Sequence, residues 1–204
     1  MSDVTKEQVR IHFNTISSFY QRRKREAYLK LVKNGVGQIP PGRIVDLGCG
    51  TGVALSWFQG KKVGVDFSAE LLRQGVPGSE YVVADIEATP FRDGAFQAVL
   101  CLDVAEHLPS LRVIDEAYRV LSPTGVLHLS TADQNFTLML DILEKLRMKL
   151  PEGPHKWRKT HEIKDKLRAV GFACRDQLKA PIRFYTASKS GVLKVDMNQS
   201  AFNV

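Results

Sequence analysis

Arg43-Ile-Val-Asp-Leu-Gly-Cys-Gly-Thr-Gly52 is the stretch whose reading decides the fold. Ile44 and Val45 are apolar and β-branched, as a strand covered on both faces requires. Asp46 closes the strand, and Gly48, Gly50 and Gly52 follow at alternate positions. Glycine reaches backbone conformations closed to other residues, so a ligand can lie against bare main chain here. The chain after the loop predicts a helix over Thr51–Phe58, with free N–H groups and a positive dipole end turned to that ligand. A dinucleotide fingerprint places its third small residue where Val53 stands. The pattern present is therefore D-x-G-x-G-x-G.

Further strands follow, each running into an acid. Lys62-Val-Gly-Val65 ends at Asp66, and Glu80-Tyr-Val-Val-Ala84 ends at Asp85, with apolar Ile86 next. Ala98-Val-Leu-Cys-Leu102 leads into Asp103-Val-Ala-Glu-His-Leu108, and Val126-Leu-His-Leu-Ser130 is a fifth strand. The glycine loop resembles motif I of the class I S-adenosylmethionine (SAM)-dependent methyltransferases. Asp115-Glu-Ala-Tyr-Arg-Val-Leu-Ser-Pro-Thr-Gly125 is similar to that family's E-x-x-R-V-L-x-P-G-G, with Thr124 at its first glycine. The likeness is detailed over Arg43–Ser130 and looser near Phe172 and Phe184. It implies a doubly wound, seven-stranded, mostly parallel α/β sheet, Rossmann-like, with an antiparallel last strand and the ligand at the strands' carboxyl ends.

The same resemblance implies the site. Asp46, Gly48, Cys49, Gly50 and Gly52 form the cofactor loop. An acid ending the second strand accepts hydrogen bonds from both ribose hydroxyls, a role for Asp66 with Phe67 beside it. Asp85 faces the adenine amino group, the Ile86 N–H meets a ring nitrogen, and Leu102 lies where the fourth strand reaches the cofactor. The segment His12–Arg25 is similar to a lid that small-molecule methyltransferases fold over SAM, with Tyr20 reaching the cofactor carboxylate and Phe13 or Phe19 walling the acceptor pocket. The cofactor is then SAM, and S-adenosylhomocysteine is the product.

Methyl transfer from a sulfonium is an in-line displacement, so positioning is the main requirement. A hydroxyl or acidic-carbon acceptor also needs a base. His107 is the candidate, just past the fourth strand and with an ordinary pKa suited to neutral pH; the competing reading is a helix cap or turn filler. Asp103, Glu106 and His107 also resemble the E-x-x-E-H run of ubiquinone-pathway O-methyltransferases and offer donors for a divalent cation. Helix capping by these acids is the preferred alternative, and no metal is assigned.

The chain has 204 residues, enough for one α/β core, and no apolar run approaches a membrane span. The expected organisation is a single methyltransferase domain over 1–190, with a helical lid over 1–33, a helical insertion over 133–161 and a tail over 191–204. Two helices are expected at Thr5–Phe13 and Ser17–Val32, a long amphipathic one at Phe136–Leu150, another at Thr160–Val170, and last strands at Ala173–Leu178 and Ile182–Ser188. The polar start Met1-Ser-Asp-Val-Thr-Lys-Glu-Gln has no signal-peptide pattern. Cys49, Cys101 and Cys174 lack metal-ligand spacing and read as reduced, buried thiols of a cytoplasmic protein.

Net charge is +7. Basic residues cluster at Arg22–Arg25 and among Lys145, Arg147, Lys149, Lys156, Arg158 and Lys159, around His155 and Trp157. Three functions compete. The first is methyl transfer to a small molecule, quinone- or lipid-like, with an anionic membrane surface as a partner. The second is RNA methylation through the basic face, although no N-P-P-Y-type tetrapeptide follows the fourth strand. The third is a non-catalytic SAM-binding protein. The apolar stripe Phe136, Met139, Leu140, Leu143, Leu146 and Leu150 is expected to pack on the sheet; its alternatives are a lid over the acceptor or a membrane-contacting face.

Overall fold

The strands β1 (Ile44–Leu47), β2 (Lys62–Asp66), β3 (Glu80–Val83), β4 (Phe96–Leu102), β5 (Leu121–Ala132), β6 (Ala173–Lys179) and β7 (Ile182–Ser188) form one sheet. The structure is a computed structural model that describes residues 5–23, 26–146 and 153–189; the side chains of 17–23, 27 and 28 lie outside that description. The strand order is β3-β2-β1-β4-β5-β7-β6. β1 pairs in parallel with both β2 and β4, so the chain winds outward in two directions from this central pair. That is the switch point at which an open α/β sheet leaves a crevice beyond its strand ends. β3 and β5 also pair in parallel with their inner neighbours, and β7 runs antiparallel to β5 and β6.

Helices α1 (Lys6–Arg23), α2 (Glu26–Val36), α3 (Ala69–Leu72), α4 (Arg112–Val120), α5 (Thr137–Lys145) and α6 (Thr160–Val170) complete the order. Alternation along the strands sends successive side chains to opposite faces. Val45, Leu47, Val99 and Leu127 join Ile114 of α4 and Leu167 of α6 in one cluster. Ile44, Ala98, Leu100 and Phe184 join Val32 and Val36 of α2 in the other. Each such aliphatic side chain removed from water contributes about 1.5–3 kcal/mol. α2 lies flush on β7 because position 35 is glycine: a Cβ there would sit 2.3 Å from the Phe184 ring.

Four local expectations change. Residues 6–23 form one helix, since no glycine or proline separates the two expected helices and Thr15 Oγ1 donates back to the Ile11 carbonyl at 2.8 Å, inside the helix. The expected helix Thr51–Phe58 is a 3-10 turn, Val53–Trp57, because Gly52 (φ 70°) and Gly60 (φ 95°) leave little chain between loop and β2. β5 starts directly after α4, at Leu121, and its register slips between Phe96 and Ala98, so residues around Pro123 bulge. The described helix α5 ends at Lys145 with Leu146 as its cap, and residues 147–150 of the expected helix lie outside the described residues.

The α5 stripe is not buried as expected. Leu140 is buried and Phe136 and Leu143 are half-buried, but Met139 and Leu146 are exposed. At about 100° per residue these two lie roughly a quarter-turn or more from Leu140, so only one edge of the stripe faces inward. Leu138 and Ile142 are exposed as well. No described helix is long and apolar enough to cross a membrane. Cys49 and Cys101 are buried thiols and Cys174 is half-buried, less than expected on its outer strand. The 191–204 tail and the Arg22–Arg25 side chains lie outside the described residues.

Candidate active site

A cavity of about 230 Å³ opens at the carboxyl ends of β1, β2, β3 and β4. Asp46, Gly48, Cys49, Gly50, Asp66, Phe67, Asp85, Ile86, Leu102 and His107 all line it, so the sheet brings together residues spread over more than sixty positions of sequence. Gly52 is not among the lining residues, a Cβ there meeting the Tyr81 hydroxyl at 2.5 Å; the side chain of Tyr20 lies outside the described residues.

The loop is held by main-chain bonds. Gly48 and Cys49 N–H both donate to the Val65 carbonyl, at 2.8 and 3.0 Å, tying β1's exit to β2's. Gly48 takes φ 81°, and a Cβ there would strike the Val104 side chain at 2.6 Å. The glycine therefore serves close packing of the β1 exit on the β4 exit as much as ligand approach. The five-residue 3-10 turn that follows offers a weaker helix dipole than the expected helix.

Asp66 is buried at the foot of this loop, one oxygen accepting from Gly50 N–H and the other from Ser68 N–H, both at 2.9 Å. Burial pushes its carboxyl above the usual range, against backbone donors from Ser68, Gly50 and Phe67 that pull the other way. A carboxylate has about four acceptor positions, so these backbone bonds still leave room for a ligand hydroxyl. Asp85 accepts from Glu87 N–H at 2.9 Å and from Lys6 Nζ at 2.6 Å. Lys6, on α1, also reaches Glu87 at 2.6 Å, fastening the helix across the cavity mouth. Burial raises the Asp85 carboxyl, yet the Lys6 hydrogen bond and charge outweigh it and the net shift is downward.

Below this, α4 is knotted to the loop after β3. Arg119 donates to both Glu116 oxygens and to the Phe91 and Thr89 carbonyls, and Glu116 accepts from Thr89 N–H at 2.8 Å. These bonds fix the loop that carries Asp85 and Ile86. They give the E-x-x-R part of the helix motif a physical reason.

Past β4 the backbone is unusual. Asp103 has φ 55°, the described non-glycine residue with positive φ. Ser130 on β5 holds it: the Ser130 hydroxyl donates to Asp103 Oδ1 at 2.7 Å, and Asp103 N–H donates to Ser130 Oγ at 3.1 Å. Asp103 is thus oriented toward Ser130, and among the described residues no three His, Cys, Asp or Glu side chains are grouped to hold a metal ion. The turn Ala105–His107 then places His107 on the cavity wall, its ring edge-on to Phe13 at 5.3 Å between centroids. His107 Nδ1 lies 3.2 Å from the Pro154 carbonyl oxygen.

Residues 45–129 match the family model described as a methyltransferase domain. Over that stretch, less than half of its length, the chain is similar to methyltransferases. It is similar to a ubiquinone biosynthesis O-methyltransferase of Xanthomonas campestris pv. campestris, 28% identical over 156 residues, covering 68% of this chain and 65% of that protein. One from Burkholderia thailandensis is 27% identical over 152 residues, 65% of each chain. The chain thus spans about 65% of the length of these curated relatives. Among solved structures, a Thermotoga maritima SAM-dependent methyltransferase, described as a possible histamine N-methyltransferase, aligns with TM-score 0.72 at 23% identity, over 89% of this chain and 99% of that one. A DhpI-SAM-HEP complex aligns with TM-score 0.68 at 19% identity, over 92% and 99%. These likenesses establish the Rossmann-like fold.

Several lining residues escaped the sequence reading. Lys6, Val9, Leu29, Val32 and Trp57 come from α1, α2 and the 3-10 turn, where no motif marks them. Trp57 carried a usable signal, a large aromatic one turn past the glycine loop. Arg158 was grouped with a basic surface, but it is buried, with 6% of its surface exposed, so the expected basic face is smaller than the charge count suggests.

Proposed function

We propose that the chain transfers a methyl group from SAM to a hydroxyl oxygen of a small, largely apolar acceptor such as a quinone precursor. The observation that carries this reading is the convergence of the glycine loop, Asp66, Asp85 and His107 on one cavity whose remaining wall, apart from Lys6 and Asp103, is apolar. The names of the curated relatives support oxygen as the methylated atom.

The cofactor brings a methyl already activated on a sulfonium sulfur, which leaves as a neutral thioether. Asp66 receives the ribose hydroxyls, Asp85 and the Ile86 N–H the adenine, and Gly48, Cys49 and Gly50 line the rest of the cradle. Phe13, Val9 and Trp57 wall the acceptor and exclude water. His107 takes the acceptor's hydroxyl proton as the oxygen gains the methyl, then returns it to solvent. In this reading residues 1–190 are one domain, 1–33 its lid and 133–161 an insertion, with a tail after 190; the reduced thiols fit a cytoplasmic enzyme. The exposed Leu138, Met139, Ile142 and Leu146 beside Lys145 suit an acceptor drawn from an anionic lipid surface.

Incubation with SAM and a panel of catechols, scored by S-adenosylhomocysteine and by the methylated atom, tests the reading. A methyl ether is the expected product. Transfer confined to RNA or to amines, or tight SAM binding without transfer to any acceptor, overturns it.

A further inference from the structure

The segment Gly153–Lys159 crosses back over the turn that carries His107 and bonds the carbonyls of Ala105, Glu106 and Leu108 and the His107 ring. Lys156 N–H donates to the Glu106 carbonyl at 2.6 Å. Arg158 donates through Nε to the Ala105 carbonyl at 3.3 Å and through a terminal nitrogen to the Leu108 carbonyl. The Pro154 carbonyl faces His107 Nδ1 at 3.2 Å. The segment is itself anchored: a Cβ on Gly153 would meet the His12 ring at 2.4 Å, and His155 stacks near Trp157 at 4.2 Å between centroids and approaches Asp141 at 3.7 Å.

These contacts are specific in what they do. A carbonyl oxygen only accepts, so the proton of a neutral His107 sits on Nδ1 and the lone pair on Nε2. A buried guanidinium that satisfies carbonyls on both sides of a three-residue turn holds that turn in one place, since losing the donor strands buried acceptors. The cost of burying the cation is real: burial pulls the Arg158 pKa down, against the carboxylates of Glu162, Glu106 and Glu87.

We propose that the Gly153–Lys159 strap is a positioning device for the reaction, with the Pro154 carbonyl selecting the His107 tautomer and Arg158 as the positioning residue that keeps the turn against it. The inference rests on the reading of His107 as the base. With the strap in place, the acceptor O–H proton passes to Nε2 while the oxygen–methyl bond forms and the sulfur–methyl bond breaks. The Pro154 carbonyl keeps the Nδ1–H throughout and steadies the imidazolium. That proton then leaves from Nε2 to water, restoring the starting tautomer.

The test uses the full chain with ¹⁵N-labelled histidine, the His107 signals being those absent from His107→Gln. At a pH where His107 is neutral, wild type is expected to show Nδ1 protonated and Nε2 bare. The reverse assignment overturns the proposal whatever the variants do. Arg158→Met is expected to mix the tautomers and lower kcat on a catechol acceptor by about ten- to hundredfold. It is also expected to move the pH profile of kcat while SAM affinity holds, and Arg158→Lys to recover part of the loss. A folded Arg158→Met protein with wild-type tautomer and pH profile overturns it too; if that variant does not fold, the wild-type spectrum and Arg158→Lys decide. Should His107→Gln turn over normally, the base assignment fails, and the tautomer measurement still judges the strap.

Discussion

The two halves of the cavity are built by different means. The half proposed for the cofactor is short-range: Gly50 N–H, in the loop after β1, reaches Asp66 at the end of β2 across 16 residues. The half proposed for the acceptor is long-range: the Pro154 carbonyl reaches the His107 ring across 47 residues, and the Arg158 side chain reaches the Ala105 carbonyl across 53. A site made of backbone tolerates few sequences, because glycines and strand-end acids have no substitutes there. A site walled by packed side chains can be met by many combinations, and so can change its acceptor while its cofactor stays the same.

If this contrast holds, substitutions on the two sides separate cleanly into turnover and affinity. The largest effect is expected from His107→Gln, a loss of about 10²–10⁴-fold in kcat, the usual contribution of a positioned base. Its SAM affinity by calorimetry should stay near wild type; an equal fall in both would show that the halves are not separable. Asp66→Ala comes next. It removes ligand hydrogen bonds to a charged acceptor, worth about 1.5–3 kcal/mol, or roughly ten- to hundredfold in SAM affinity. Unchanged affinity would remove Asp66 from the cofactor half.

Glu116→Gln sharpens the comparison from below, since it disturbs the platform of Asp85 and Ile86 without touching the cavity. Burial pushes the Glu116 carboxyl up, but bonds from Arg119 and Thr89 outweigh it and hold it low. A depressed native pKa contributes stability that is present above the unfolded value, about 4.3, and lost as pH falls through the native value. Glu116→Gln should therefore cost about 1–3 kcal/mol near neutral pH, less in acid. Urea midpoints from about pH 6 to about pH 3 check this; parallel curves for mutant and wild type would contradict it.

The smallest effect is expected from Lys6→Ala. Its ion pairs to Asp85 and Glu87 are partly exposed, so their loss is worth under about 1 kcal/mol. SAM affinity should shift by no more than a few-fold and lose part of its salt dependence. A tenfold or larger change would make α1 part of the cofactor half.

The same contrast explains what the sequence disclosed. β1, the glycine loop and the acids at 46, 66 and 85 were readable because each carries a local physical demand: an apolar strand, a positive φ, a carboxylate at a strand end. The mostly parallel sheet followed from alternating elements, and the antiparallel β7 from the family resemblance. The 3-10 turn after the loop was not readable, since its helix-like composition is overruled by glycines at both ends. Nor was the continuity of α1, where two helices were expected and the backbone runs through as one over Lys6–Arg23. Arg158 was hidden in a run of basic residues, because burial of a cation depends on carbonyls fifty residues away. Met139 and Leu146 show the converse: apolar periodicity marks a helix without saying that anything covers it.

Calorimetric titration with SAM, S-adenosylhomocysteine and NADH tests the central claim most directly, that the D-x-G-x-G-x-G loop and its two strand-end acids form a SAM site. Binding of the first two, weakened in Asp66→Ala, with none of NADH is the expected result. Binding of NADH instead, or SAM binding indifferent to Asp66, would contradict it.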